Sequence, residues 1–362
     1  MTKREIIKTL IKEKKCPERM GLCEHFWPDT IEFWEKNDDL PKNIDLYEYF
    51  DYDIRRLPES WFSTDAIPFY EEIIQEDEET KIVINGWGAK MRYWKEKAGT
   101  PEHLEFDLDS FDKWKKKYRE RLLYLDLNRF GDIGKWKESY KKAMQEDRFV
   151  TFNNLIIFEI MRRAMGDVIM LESMYLDPDW IKDFCEVMIN NLIIHFEYVF
   201  REIGLPDGIW FYEDMGYTNA PFISPQFYKE LIFPHHKKLF DFVHSYNLPV
   251  IMHSCGKIRP YLSYIKDAGV DCLQVLEAKA GQHVVEFSEC VNNQMAFMGN
   301  LDIVAYETND YNKINNEILP KLNQIKKNRI PYIFHSDHSI PKTVRLKTYK
   351  YVLELYHKNK YY

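Results

Sequence analysis

Pro249-Val-Ile-Met-His253-Ser-Cys255-Gly256-Lys-Ile258 joins an apolar run to a helix through a short polar turn. The run Val250-Ile-Met252 stops at His253, and Pro260 with the spacing of Ile258, Leu262 and Ile265 predicts the helix. The stretch therefore reads as a strand that ends in an imidazole and a thiol. The carboxyl end of a strand is where α/β proteins place their chemistry. Two residues apart on an extended chain, His253 and Cys255 point to the same side, so one metal ion can accept both.

Outward from this stretch the pattern is regular. Arg148–Phe152 reads as a strand, and helical sequence follows it. Asp177 is a good N-cap with Pro178 behind it, and Gly204 closes a helix between them. Then come strand 208–212, a helix capped by Ser224 that Pro234 must kink or interrupt, and strand 249–253. Helix 258–267, strand 270–276, helix 283–292, strand 295–299, helix 311–327, strand 330–334 and helix 344–358 complete the series. Strands spaced by such helices are successive βαβ units, which pair in parallel. Six strands are visible, and the segment 21–27 is a candidate seventh. The closed form of this pattern is a (β/α)8 TIM-type barrel. An open doubly wound sheet is disfavoured because no Gly-x-Gly-x-x-Gly follows any strand.

The first 147 residues are less regular. They supply a helix over residues 3–14, the 21–27 strand, helical segments at 109–121 and 135–145, and a small β-hairpin insertion over 81–95. With no linker, repeat or low-complexity stretch, residues 1–362 are expected to form one barrel domain, with 148–362 carrying the site.

Composition narrows the function. The chain is 45% hydrophobic over 362 residues, enough for a large core. A net charge of −8 argues against nucleic acid as a partner. Six scattered Cys without a Cys-x-x-Cys indicate free thiols in a reducing compartment. The N-terminus lacks a signal-peptide core, and no apolar run approaches the roughly 18 residues that cross a bilayer. The expected location is the cytoplasm.

Polar residues follow each strand: Glu213 and Asp214, His253 and Cys255, Glu277, Asn300 and Asp302, then His335, Asp337 and His338. In a barrel all of these face one mouth. Singly, each has an ordinary explanation such as a helix cap or a buried histidine. Together they indicate a site. Catalytic zinc takes three protein ligands and leaves a position open, so His338 is the candidate third ligand beside His253 and Cys255, with His335 as its rival. Glu213, Asp214 and Glu277 are candidates for handling protons or holding a water. Glu24, Trp27, Asp302 and His335 are candidates for lining the mouth. One thiolate and two imidazoles would leave zinc with a net charge of +1, a stronger Lewis acid than two thiolates allow.

Several of these stretches resemble the uroporphyrinogen decarboxylase superfamily: Glu213-Asp-Met, Ile223-Ser-Pro225, Met252-His-Ser-Cys-Gly256, Gly269-Val-Asp-Cys-Leu-Gln274, Gly299-Asn-Leu-Asp302 and His338-Ser-Ile-Pro341. They cover roughly the last 200 residues. The first 150 match more loosely, through Arg19, His25-Phe-Trp27 and Phe50-Asp-Tyr-Asp53. The family fold is a (β/α)8 barrel. The Arg-Gln-Ala-Gly-Arg segment of the decarboxylases is absent, and His253-x-Cys255 is instead similar to the zinc methyltransferase branch. That resemblance implies Zn²⁺ as cofactor and methyl transfer with the cobalt of a corrinoid carried on a separate protein, because no Asp-x-His-x-x-Gly occurs here. His338 stands where that branch has a Cys. An electron-poor zinc suits a methyl ether, so the expected reaction is O-demethylation of a small methylated substrate. The competing readings are transfer from methyl-cobalt to a thiol, a metal-free decarboxylase, and a non-catalytic binding protein on the same scaffold.

Overall fold

The structure is a computed structural model, and it describes residues 1–96, 99 and 101–362. Eight parallel strands form the barrel wall: β1 (Gly21–Leu22), β2 (Ile54–Arg56), β7 (Phe149–Leu155), β8 (Gly208–Tyr212), β9 (Val250–Ser254), β10 (Cys272–Val275), β11 (Ala296–Gly299) and β12 (Tyr332–Phe334). Their lateral order is β1-β12-β11-β10-β9-β8-β7-β2. The two ends of that order meet where the amide of Asp53 donates to the Leu22 carbonyl at 2.9 Å. The Asp53 carboxylate accepts from the Leu22 amide at 2.8 Å and from the Arg19 guanidinium at 2.7 and 2.9 Å. One buried carboxylate thus ties the seam of a near-closed (β/α)8 barrel.

Alternation along each strand sends one set of side chains inward and the other against the surrounding helices. Ile54, Phe149, Trp210, Ile251, Cys272, Ala296, Met298 and Ile333 form an inner cluster. Helix α1 (Lys3–Ile11) completes it with Ile6, Ile7, Leu10 and Ile11, which have 0–1% of their surface exposed. The capping box between Thr2 and Glu5 starts this helix. It seats directly on Gly21, where a Cβ would lie 2.6 Å from Ile7. The helix therefore plugs the amino-terminal end of the barrel and leaves the carboxyl end as the mouth.

The expected strand at 21–27 shortens to Gly21–Leu22, followed by an isolated bridge from Phe26 to Ile340. The expected hairpin at 81–95 is the centre of a larger antiparallel sheet: β3 (Glu71–Glu76), β4 (Thr80–Asn85), β5 (Lys90–Trp94) and β6 (Glu102–Glu105), in that order. Strand β3 is exposed along its length and rich in Glu, so it carries no alternating apolar signal. The helical reading of 109–121 resolves into single turns of α, π and 3-10 form over Phe111–Leu122. A π turn at Tyr228–Ile232 precedes Pro234 and absorbs its missing amide, so the helix continues to Ser245. Among the described residues no helix is long and apolar enough to cross a membrane.

Candidate active site at the barrel mouth

Strand β9 delivers His253 and Cys255 inward in succession, and the Cys255 sulfur lies 3.2 Å from His253 Nε2. The other nitrogen, Nδ1, pairs with the Gln274 side-chain oxygen on β10, which is in register with His253. An amide oxygen only accepts, so Nδ1 keeps a proton, and Nε2, which faces the sulfur, is the nitrogen that would release its proton to a metal. That tautomer is the one a metal ligand needs. The turn after Cys255 is fixed at two points. Gly256 adopts a positive φ of 72° and touches Gly216, where a Cβ on residue 256 would lie 2.1 Å from the Gly216 oxygen. Its amide donates to Glu277 Oε2 at 2.7 Å.

Two sets of three possible ligand atoms, each with atoms within 4.8 Å of one another, share Cys255. One is Asp214, His253 and Cys255; the other is Cys255, Glu277 and His338. No set within that spread holds both imidazoles among the described residues. Cys255 is the vertex, with His253 beside it on β9 and His338 reaching it from the loop after β12. His338 Nδ1 is buried without a hydrogen-bond partner, with the Asp337 carboxylate 3.8 Å away. A thiol, a correctly disposed imidazole and an unpartnered buried imidazole nitrogen fit a soft divalent ion such as zinc.

The electrostatics agree. Burial disfavours charge on His253, but Cys255 and Asp214 outweigh it and raise the imidazole well above its usual range. Burial opposes the His338 cation as well, yet Asp337 and Cys255 lift it to about 10. Burial would raise Asp214, but His253 and the Cys255 amide, which donates to it at 2.7 Å, hold it at about 2. The two imidazoles hold protons beside Cys255 that a bound cation would displace.

The other predicted residues divide into supports and linings. Glu213 points away from its neighbour Asp214 and is fully buried. It accepts from the amides of Phe158 and Glu159 at 2.9 to 3.2 Å and from His236 Nε2 at 2.7 Å, so it caps the helix Ile157–Leu176 from a distance. Asp302 caps its own helix through the Val304 amide. Glu24 accepts from the amide and hydroxyl of Ser336 at 3.0 and 2.9 Å. Asp337 accepts from the amides of Ala278 and Ile303, both at 2.9 Å. Together they anchor the loop that presents His338. His335 is buried edge-on to His25 and donates through Nδ1 to the Ser336 carbonyl at 2.5 Å, and neither ligand set includes it. Trp27 opens the helix Pro28–Asn37 and is half-buried.

Three residues that the sequence did not single out also reach the mouth. Gln274 fixes the His253 tautomer. Glu159 lines a cavity of about 420 Å³ together with Asp214, Arg162 and His103. Burial and the nearby Asp214 raise this carboxyl to about 7 although Arg162 pairs with it at 2.6 Å. Arg56, at the end of β2, donates to the Tyr212 phenol at 2.7 Å.

Comparison with known proteins places this geometry in a family. A stretch of 87 residues is 29% identical to the methylated-thiol–coenzyme M methyltransferase of Methanosarcina mazei. It covers 24% of this chain and 22% of that relative, so the match spans about a fifth of the relative's length. The solved structure of a methyltransferase from Methanosarcina mazei superposes over 99% of both chains with a TM-score of 0.66 at 13% identity, a likeness of fold. The model of the family described as uroporphyrinogen decarboxylase (URO-D) matches residues 161–359, more than half of the chain. These residues run from the helix after β7 through the loop that carries His338, and the chain belongs to the uroporphyrinogen decarboxylase family.

Proposed function

We propose that this protein is a zinc-dependent methyltransferase that moves a methyl group from a small methyl ether to the cobalt of a corrinoid held by a separate protein. The observation that carries this reading is the His253–Cys255 pair at 3.2 Å, with the Gln274 oxygen holding Nδ1 so that His253 Nε2 is turned toward the sulfur. His253, Cys255 and His338 would hold the ion. Bound there, zinc supplies Lewis acidity toward the atom from which the methyl group departs.

The chain's own groups supply the rest. Gln274 and Asp214 orient His253, and Glu277 pins the turn behind Cys255. The methyl carbon leaves its ether oxygen for the cobalt nucleophile of the partner, and the electrons of the broken bond stay on oxygen. Glu159, an acid near neutrality beside Asp214, donates the proton that oxygen then takes. The acidic balance of the chain suits a partner with a basic docking face. A second reading takes a methylated thiol as the methyl source, and the likeness to the methylated-thiol–coenzyme M methyltransferase of Methanosarcina mazei favours it.

The test is elemental analysis followed by turnover. One zinc per chain is expected, lost in His253→Ala. Cob(I)alamin with methoxylated benzenes should yield methylcobalamin, read by its visible absorbance. Clearly substoichiometric zinc with no effect of His253→Ala overturns the metal site. Turnover confined to methylated thiols moves the assignment to the second reading.

A further inference from the structure

The helix Ile157–Leu176, which follows β7, breaks at Gly166, where φ is 72° and ψ is 168°. The gap is filled from the insertion sheet. Phe106 lies just past β6, and its ring would be 2.2 Å from a Cβ on residue 166. Glycine is therefore needed twice at this position, for the backbone angle and for the ring. An inserted side chain beside a glycine is a recognised cause of a sharp kink.

The break changes which side chains meet. In an unbroken helix, residues five apart stand about 140° from each other around the axis, so Arg162 and Asp167 would face different sides. Here Arg162 Nε donates to Asp167 at 2.8 Å, and its Nη1 donates to Glu159 at 2.6 Å. The guanidinium also lies 4.7 Å over the Phe222 ring. One arginine thus runs from the break to Glu159, held by a carboxylate at each end and by an aromatic face. Glu159, Arg162 and Asp167 line the cavity of about 420 Å³ together with Asp214, and Met91 and His103 of the insertion sheet line it too. His103 meets Phe106 edge-on at 5.6 Å. The sheet that contributes to the cavity wall is therefore the one that fills the break.

We infer that the insertion sheet positions the proton donor of the reaction: Phe106 holds the break open, the break brings Asp167 to Arg162, and Arg162 fixes the carboxyl of Glu159. Phe106 and Asp167 are positioning residues that act through Arg162. The step they serve is the proton transfer that accompanies cleavage of the methyl–oxygen bond. The methyl carbon goes to cobalt, the bonding pair stays on oxygen, and Glu159 gives that oxygen its proton. This rests on the methyl-transfer reading for the reaction, while the linkage from Phe106 to Glu159 stands on geometry alone.

The test uses two ethers with cob(I)alamin and the zinc-loaded protein. Methoxybenzene leaves as a basic phenolate that needs a proton, and 4-methoxynitrobenzene leaves as a phenolate that does not. Glu159→Gln should slow methoxybenzene by at least about a hundredfold and the nitro compound little. Phe106→Ala and Asp167→Ala should show the same asymmetry, about ten- to a hundredfold in kcat, with KM and zinc content unchanged. Phe106→Tyr keeps the ring and should behave as wild type. Equal loss on both ethers in the Phe106 and Asp167 variants overturns the positioning role in favour of a structural one. So does wild-type behaviour of both variants where Glu159→Gln is impaired. An unimpaired Glu159→Gln protein overturns Glu159 as the acid, and the inference with it. Crystal structures read the linkage without turnover. In Phe106→Ala, Arg162 should release Asp167 and the Glu159 carboxyl should shift, and an unchanged bridge overturns the inference. Asp167→Ala alters a side chain that is 40% exposed, so its Glu159 position serves if Phe106→Ala does not fold. A shifted Glu159 without turnover of either ether by wild type supports the linkage and overturns the methyl-ether reading.

Discussion

The two ends of the barrel are built on the same strands and the same inward face, yet they differ in kind. Two residues along five of the strands, about 6.6 Å, turn an apolar side chain into a polar one. Ile54 gives way to Arg56, Trp210 to Tyr212, Ile251 to His253, Cys272 to Gln274 and Ile333 to His335. The lower layer packs on α1 and excludes water. The upper layer keeps unpartnered nitrogens, a thiol and shifted acids. The difference teaches that the fold spends one end on stability so that the other can tolerate groups that would destabilise a core.

The sharpest way to break this comparison is to truncate a thiol at each level. Cys255→Ala should lose zinc and lower methyl transfer by at least about a thousandfold, the several kcal/mol a Lewis acid supplies. Cys272→Ala, one layer down, should keep one zinc per chain and most activity. Metal content and initial rates of both variants check this. Equal loss in both would mean that the layers are not functionally separate.

Next in size is the plug. Leu10 is fully buried between α1 and the strand ends. Leu10→Ala should cost about 2–5 kcal/mol of stability in denaturant unfolding. Its folded fraction should bind zinc with unchanged affinity. A shift in that affinity would show that the plug also shapes the mouth.

The acids of the upper layer make stability depend on pH. Burial raises Glu24 to about 8 against the hydrogen bonds from His25 and Ser336. Unfolded, it ionises near its ordinary 4.5. Between those values the folded chain holds a proton that the unfolded chain has released, so stability falls as pH rises. Wild type minus Glu24→Gln should therefore lose on the order of a few kcal/mol between pH 5 and 8. Thermal unfolding at fixed salt measures that difference, and a flat one would place Glu24 in a wetter site. Glu159, at about 7, contributes in the same direction.

What could be read before folding follows from the same layers. Strands β7 to β12 announce themselves because both of their faces are buried and a helical pattern follows each. Strand β2 escaped notice because two of its three residues are Arg, and β1 was read too long, as 21–27, because only Gly21 and Leu22 of that segment form the strand. His253 and Cys255 were legible because both lie on one strand end, and His338 because it follows another. Glu213 and Asp214 looked alike in sequence. Only the alternation of the strand sends one to helix amides and the other to the site.

Gln274 is the smallest of these effects and the most diagnostic. In sequence it is one neutral polar residue within Cys272-Leu-Gln274-Val, which gives no sign of chemistry. In the barrel it is in register with His253, and its side-chain oxygen takes the Nδ1 proton. Substitution by Leu keeps the bulk but removes the acceptor, so His253 loses the bond that selects its tautomer and ring orientation. Loss of such an outer partner typically weakens a metal site by about ten- to a hundredfold. Gln274→Leu should therefore bind zinc that much more weakly, as read by chelator competition, while saturating zinc restores most of the rate. Gln274→Glu should hold the ion at least as tightly as wild type, because a carboxylate accepts the same proton more strongly. If Leu and Glu behave alike, the tautomer is set elsewhere, and the upper layer is less tightly built than the plug beneath it.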